Sequence, residues 1–189
     1  MFKAIRRLFV TGKTHLSAGL LVGAVLAVSS QDLNIASAAF TIVAASIGSL
    51  IPDIDHTQSM ISTSNKTTRI ASASLSAVTK HRGFTHTLVF LAIVVGLCNY
   101  ICTHYFPQYS SLSAAICAGM LSHLLLDTLN EKGIMWLWPL SKHSFHVACV
   151  RTGSQAEKVL RFPLNIAASC CVVYILYKYL LQIMNRFVV

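Results

Sequence analysis

His15, Asp53, Asp55, His56, His81, His86, His123 and Asp127 all fall at the ends of apolar stretches of this chain. Imidazole nitrogens and carboxylate oxygens are the donors from which zinc, manganese and iron sites are built. The spacing within each group carries the argument further. His123 and Asp127 are four apart, which places both side chains on one helical face in a chelating arrangement. An unpaired aspartate next to hydrocarbon is costly, whereas one neutralised by a metal is not; a His–Asp hydrogen bond along the helix is the plainer alternative. In Pro52-Asp53-Ile54-Asp55-His56 the proline is expected to end a helix, so that the backbone beyond it turns Asp53, Asp55 and His56 toward one point. A polar turn capping a span would read the same way.

His81-Arg82-Gly83-Phe84-Thr85-His86 holds two histidines five apart, about 140° around a straight helix. His81 is therefore expected in a leading loop and His86 in the first turns of the helix that follows, with Gly83 letting the loop fold back. Interfacial histidines beside an arginine that snorkels to headgroups are the alternative. His15 opens an apolar run, with Thr14 as a candidate cap. His104 lies at the far end of its run and reads as an ordinary interfacial residue. His143 and His146 lie in a loop and rank below the others.

Apolar segments must position these groups. The chain is 54% hydrophobic and 11% charged over 189 residues, with a mean hydropathy of +0.63. That leaves too little polar surface for a water-soluble globule of this size. Residues 16–30, 35–52, 84–106, 110–126 and 164–184 are apolar enough to span or embed in a bilayer; the first is short and the fourth marginal, which implies tilt or partial insertion. The expected class is all-α: a single membrane-embedded helical domain over 1–189, a polytopic membrane protein of about five transmembrane or membrane-embedded helices with its polar site on one face. Loops at 57–80 and 131–163 would lie on that face, the former rich in Ser and Thr with a surface helix near 70–78.

Thirteen of the fifteen Lys and Arg fall on the same side: four before the first span, four between the second and third, five between the fourth and fifth. The positive-inside rule makes that side, with the N-terminus, cytoplasmic. The net charge of +9 is thus mostly a topology signal. It also favours anionic lipid or phosphorylated substrates, and no groove-binding or stacking motif supports a nucleic-acid partner. The basic start, residues 16–28 and Ser29-Ser30 also have the outline of a cleavable signal peptide. A histidine at the mouth of the run and the further spans favour retention. Cys98, Cys102, Cys117, Cys170 and Cys171 fall inside spans and Cys149 in a loop, with no CxxC pair, so buried, reduced thiols are expected.

The runs THLSAGLLVG, IPDIDH, HRGFTHT and SHLLLDTLNEKGIMWLWPL occur in that order over most of the chain. Together they resemble the YdjM family of bacterial inner-membrane proteins, regarded as metal-dependent hydrolases. That family is in turn remotely similar to the all-helical zinc phospholipase C and P1 nuclease group. The resemblance implies that His15, Asp53, His56, His81, His86, His123 and Asp127 are metal positions, with Asp55 and Arg82 alongside, and that residues 136–140 pack over the site at the membrane interface. It also implies a bacterial inner-membrane location.

The expected activity is metal-assisted hydrolysis of a phosphoester, with zinc favoured by ligand type and manganese or iron as rivals. Asp55 would take the proton from water and Arg82 would bind a phosphate bidentately. Membrane lipids are the expected surroundings, and a lipid or lipid-linked phosphate the expected substrate. A non-catalytic metal-binding protein, such as a sensor, carrier or scaffold, is the other reading. Transport is disfavoured because no acid lies in mid-span.

Overall fold

The computed structural model describes residues 2–30, 34–55, 83–131, 133–147 and 154–188, giving backbone alone for 2–11, 55, 187 and 188. Within these the protein is all-helical: α1 (Phe2–Val28), α2 (Ile35–Gly48), α3 (Leu88–Tyr105), α4 (Leu112–Thr128) and α5 (Gln155–Val188), with short 3-10 turns at Ile51–Asp55, Phe84–His86 and Pro107–Tyr109. Among the described residues there is no strand, only an antiparallel bridge between Ile134 and Phe145. Three stretches, Leu88–Tyr105, Pro107–Thr128 and Gln155–Arg186, are long and apolar enough to cross a membrane; Gly12–Val28 and Ile35–Gly48 are apolar but shorter.

Several boundaries differ from the sequence expectation. α1 starts far upstream of its apolar run, so Thr14 is a mid-helix residue and not a cap. α2 ends at Gly48, before Pro52, which sits in the following 3-10 turn. His86 lies in the turn ahead of α3, whose N-cap is Thr87 with its hydroxyl accepting from the Phe90 amide. α5 begins well before its apolar run and continues through Pro163.

α1 packs against α2, α4 and α5, and α2 against α4. Small residues set the α2–α4 spacing, with Ala44, Ala45 and Ala115 forming a buried cluster. A Cβ at Gly119 would collide with the Ala45 carbonyl, and one at Gly48 with the Ile116 backbone. In hydrocarbon, helices associate by such close contact because burying apolar surface from lipid gains little. α5 runs beside α1 in the same direction: Thr14 meets Glu157 at one end, and Ala27 packs near Ile175 at the other. α3 lies outermost against α4 and buries none of its residues. Cys98, Cys102, Cys117, Cys170 and Cys171 are free but none is fully buried in the bundle, contrary to expectation: Cys170 is exposed and the other four are half-buried. Cys149 lies outside the described residues.

Candidate metal centre

At one end of the bundle, α1, α4 and two 3-10 turns bring His15, Asp53, His86, His123 and Asp127 into contact. His15, His86, His123 and Asp127 are buried, and Asp53 is partly so. The Nε2 atoms of His86 and His123 are 3.2 Å apart. Asp127 Oδ2 lies 3.4 Å from His86 Nε2 and 3.7 Å from His123 Nε2. Asp53 Oδ1 lies 3.6 Å and 3.8 Å from the same two nitrogens. The other Asp127 oxygen is 3.5 Å from His15 Nε2, and the His15 ring stacks on that of His123 at 3.7 Å between centroids.

The helical spacing explains part of this. His123 and Asp127 share the buried face of α4. The remainder depends on turns that the small-residue packing positions. Ser49, wholly buried just after α2, accepts a 2.7 Å hydrogen bond at its carbonyl from His123 Nδ1. A carbonyl only accepts, so the proton of a neutral His123 sits on Nδ1 and the Nε2 lone pair faces the cluster. His86 Nδ1 is 3.0 Å from the Thr85 hydroxyl, which leaves its Nε2 to the cluster as well. His15 Nδ1 is buried without a hydrogen-bond partner among the described residues.

The charges are mutually supporting. Burial pushes Asp53 up, but His123, the hydrogen bond from His86 and His15 together hold its carboxyl well below the usual carboxylate range. Burial likewise opposes charge on His86, yet its hydrogen bonds to Asp127 and Asp53 raise it to about 9.

The donor set fits a divalent ion. Two groups of three, His15–His123–Asp127 and Asp53–His86–His123, each offer one ligand atom per residue within 4.8 Å of one another. Ligands about 2.0–2.1 Å from a tetrahedral zinc lie roughly 3.3 Å apart, close to the 3.2–3.8 Å found between these atoms.

Five of the seven metal positions expected from sequence are thus brought together. His56, His81 and Arg82 lie outside the described residues, as does the 57–80 loop with its expected helix. Asp55 is described by backbone alone, at the end of its 3-10 turn. His104 is exposed at the opposite end, its Nδ1 donating to the Tyr100 carbonyl of its own helix. His143 and His146 are exposed and belong to neither group of candidate ligands. Sequence reasoning missed Ser49, Thr85, and the buried Thr14–Glu157 hydrogen bond of 2.8 Å beside His15. Thr85 was discoverable, being adjacent to His86 within the same motif; Ser49 and Glu157 carry no sequence signal.

The family profile described as YdjM inner membrane protein matches residues 10–186. The chain belongs to the YdjM family. It is 34% identical over 168 residues to the uncharacterized protein YvsG of Bacillus subtilis (strain 168), covering 89% of this chain and 97% of that one. It is 43% identical over 68 residues to the inner membrane protein YbcI of Escherichia coli (strain K12), 34% of this chain and 39% of YbcI. Against the inner membrane protein YdjM of the same strain it is 29% identical over 121 residues, 62% of this chain and 59% of YdjM. No solved structure matches. With its long apolar helices, this YdjM-family chain is an inner-membrane protein, and its His/Asp cluster could hold a metal ion.

Proposed function

We propose that this YdjM-family protein is a metal-dependent hydrolase acting on phosphoesters at the membrane face, with lipid or lipid-linked phosphates as substrates. The convergence of five His and Asp ligand atoms from separate segments into one buried cluster carries the reading. His15, Asp53, His86, His123 and Asp127 would hold the ion, with His56 and His81 as further ligands; the nitrogen-rich set favours zinc over manganese or iron. When bound, the ion would act as a Lewis acid toward the phosphoryl oxygens.

The chain's own groups do the rest. Arg82 takes two phosphate oxygens through its planar fork and orients the phosphorus. Asp55 accepts a proton as a water oxygen attacks, the new P–O bond forming while the bond to the departing alcohol breaks. That proton then passes to the alcohol oxygen. Ser49 and Thr85 hold the His123 and His86 rings in orientation. The cluster end of the bundle faces the cytoplasm, the side on which the positive-inside rule puts thirteen Lys and Arg.

The test is elemental analysis of detergent-purified protein, followed by a panel of phospholipids, lipid-linked phosphates and simple phosphodiesters. Arg82→Lys and Asp55→Asn should keep the metal and slow turnover by about a hundredfold or more. Absence of bound metal ends the site assignment. Full occupancy without turnover on any substrate would make the protein a metal binder instead. Reporters fused within 57–80 and after Lys142 should both read cytoplasmic; a periplasmic signal from either would overturn the orientation.

A further inference from the structure

The segment after α4 runs past the metal centre and is pinned beside it. The Trp136 carbonyl accepts from the Leu88 amide at 3.0 Å, and its indole Nε1 donates to the Thr128 hydroxyl at 2.9 Å. The Val147 amide donates to the Thr128 carbonyl, and the Trp138 ring meets Phe84 edge-on. Thr128 adjoins Asp127, while Phe84 and Leu88 flank His86, so the segment borders two ligands of the cluster. The Ile134–Phe145 bridge closes it into a loop. The close is tight: Gly133 has φ +60° and a Cβ there would strike the Phe145 carbonyl.

A loop held this firmly buries Ile134 but turns three other apolar side chains outward. Leu140 is 91% exposed, Val147 78% and Leu137 44%. Lys142, His143 and His146 are exposed among them. Its depth is set by its anchors, since Leu88 begins and Thr128 ends stretches able to cross the membrane. Outward apolar tips, tryptophans and a lysine at that depth are the combination that seats a segment among headgroups, the lysine drawn to anionic lipid.

We propose that the 133–147 loop is a lipid-docking rim: it inserts Leu137, Leu140 and Val147 into the adjoining leaflet and draws anionic phospholipid to the edge of the metal centre. Phosphate-bearing headgroups then reach the cluster sideways from the bilayer. This route for substrate rests on the hydrolase reading; the docking itself does not.

The chain has two tryptophans, and both lie in this loop, so fluorescence excited selectively at tryptophan reports the rim alone. Full-length protein is reconstituted in phosphatidylcholine–phosphatidylglycerol vesicles carrying bromines near the carbonyl end of the acyl chains, and separately exposed to aqueous iodide. The expected result is at least twofold quenching by the brominated lipid and little by iodide. Leu140→Asp with Val147→Asp, both fully outward positions, should reverse that pattern while metal content stays unchanged. Strong iodide quenching with no lipid quenching in the unaltered protein overturns the proposal. If the panel finds a substrate, the double variant should lose about tenfold in turnover of long-chain lipid and none on a short soluble phosphoester; equal loss on both also overturns the docking role. Lipid quenching without turnover of any substrate leaves the rim standing and removes the hydrolase reading.

Discussion

At the far end of the bundle, most polar side chains are satisfied within their own helix or turn. His104 Nδ1 donates to the Tyr100 carbonyl and Ser29 to the Val25 carbonyl. Asn34 accepts from the amides of Ala36 and Ser37, and Ser113 donates to the Ser110 carbonyl at 2.8 Å, with a longer 3.4 Å contact to Asn99 Oδ1 of α3 as the exception. At the cluster end, local contacts such as Thr85 with His86 are joined by partners remote in sequence: His123 with Ser49 and His86, and Thr14 with Glu157. A cavity of about 210 Å³ lies at the far end, lined by Ser30, Asn34, Ser37 and Thr41, with no ionisable side chain in its wall among the described residues. Size of cavity and density of chemistry therefore part company here. Local hydrogen bonds cap and quiet a helix end, whereas carboxylates and imidazoles drawn together from distant segments at a cost in desolvation need an ion or proton to hold them.

The sharpest way to break this contrast is to remove one cluster ligand. His123→Ala or Asp127→Ala should lower metal affinity beyond the roughly 10–100-fold typical of losing an outer partner, measured by metal titration. His104→Ala should leave it unchanged; equal loss there would mean that the measurement reports unfolding.

Next in size is Gly119→Ala, whose Cβ would meet the Ala45 carbonyl. Forcing α2 and α4 apart should cost about 1–3 kcal/mol and draw Ser49 off His123, lowering both melting temperature and metal affinity. Unchanged melting would show that the close α2–α4 contact is not required.

A proton should compete with the metal. In the metal-free protein His86 is raised to about 9, above its ordinary 6.5, so folding favours its protonated form. The stability it contributes is complete below pH 6.5 and is lost as pH rises through 9. Metal binding must displace that proton, so affinity should rise by about tenfold per pH unit between 7 and 9 and then level. Calorimetry in buffers of different ionisation enthalpy counts the proton; a flat profile would remove His86 from the ligand set.

Smaller effects separate the two ends further. Thr14→Val leaves Glu157 without its hydroxyl donor and should cost about 1–3 kcal/mol, with a modest loss of metal affinity through the His15 backbone. Asn34→Ala removes the α2 cap and should cost about 1 kcal/mol with no change in metal binding. A metal effect from Asn34→Ala would dissolve the distinction between the ends.

The helical class, the membrane setting and most of the ligand types were legible in the residues alone. Apolar runs of spanning length admit few structures in a bilayer, since only helices and closed barrels satisfy their backbone groups there. The His123–Asp127 pair was readable because a spacing of four fixes a shared face whatever the surroundings. Boundaries were less legible: α1 and α5 extend through polar residues that hydropathy assigns to loops, and Pro52 follows its helix end instead of making it. Tertiary structure alone decided that His15, Asp53 and His86 meet that pair, and that Ser49 fixes the His123 proton. Those contacts depend on how closely α2 approaches α4 and where the turns at Ile51–Asp55 and Phe84–His86 place their side chains. Such distances arise from packing between segments far apart in the chain, which no local spacing encodes.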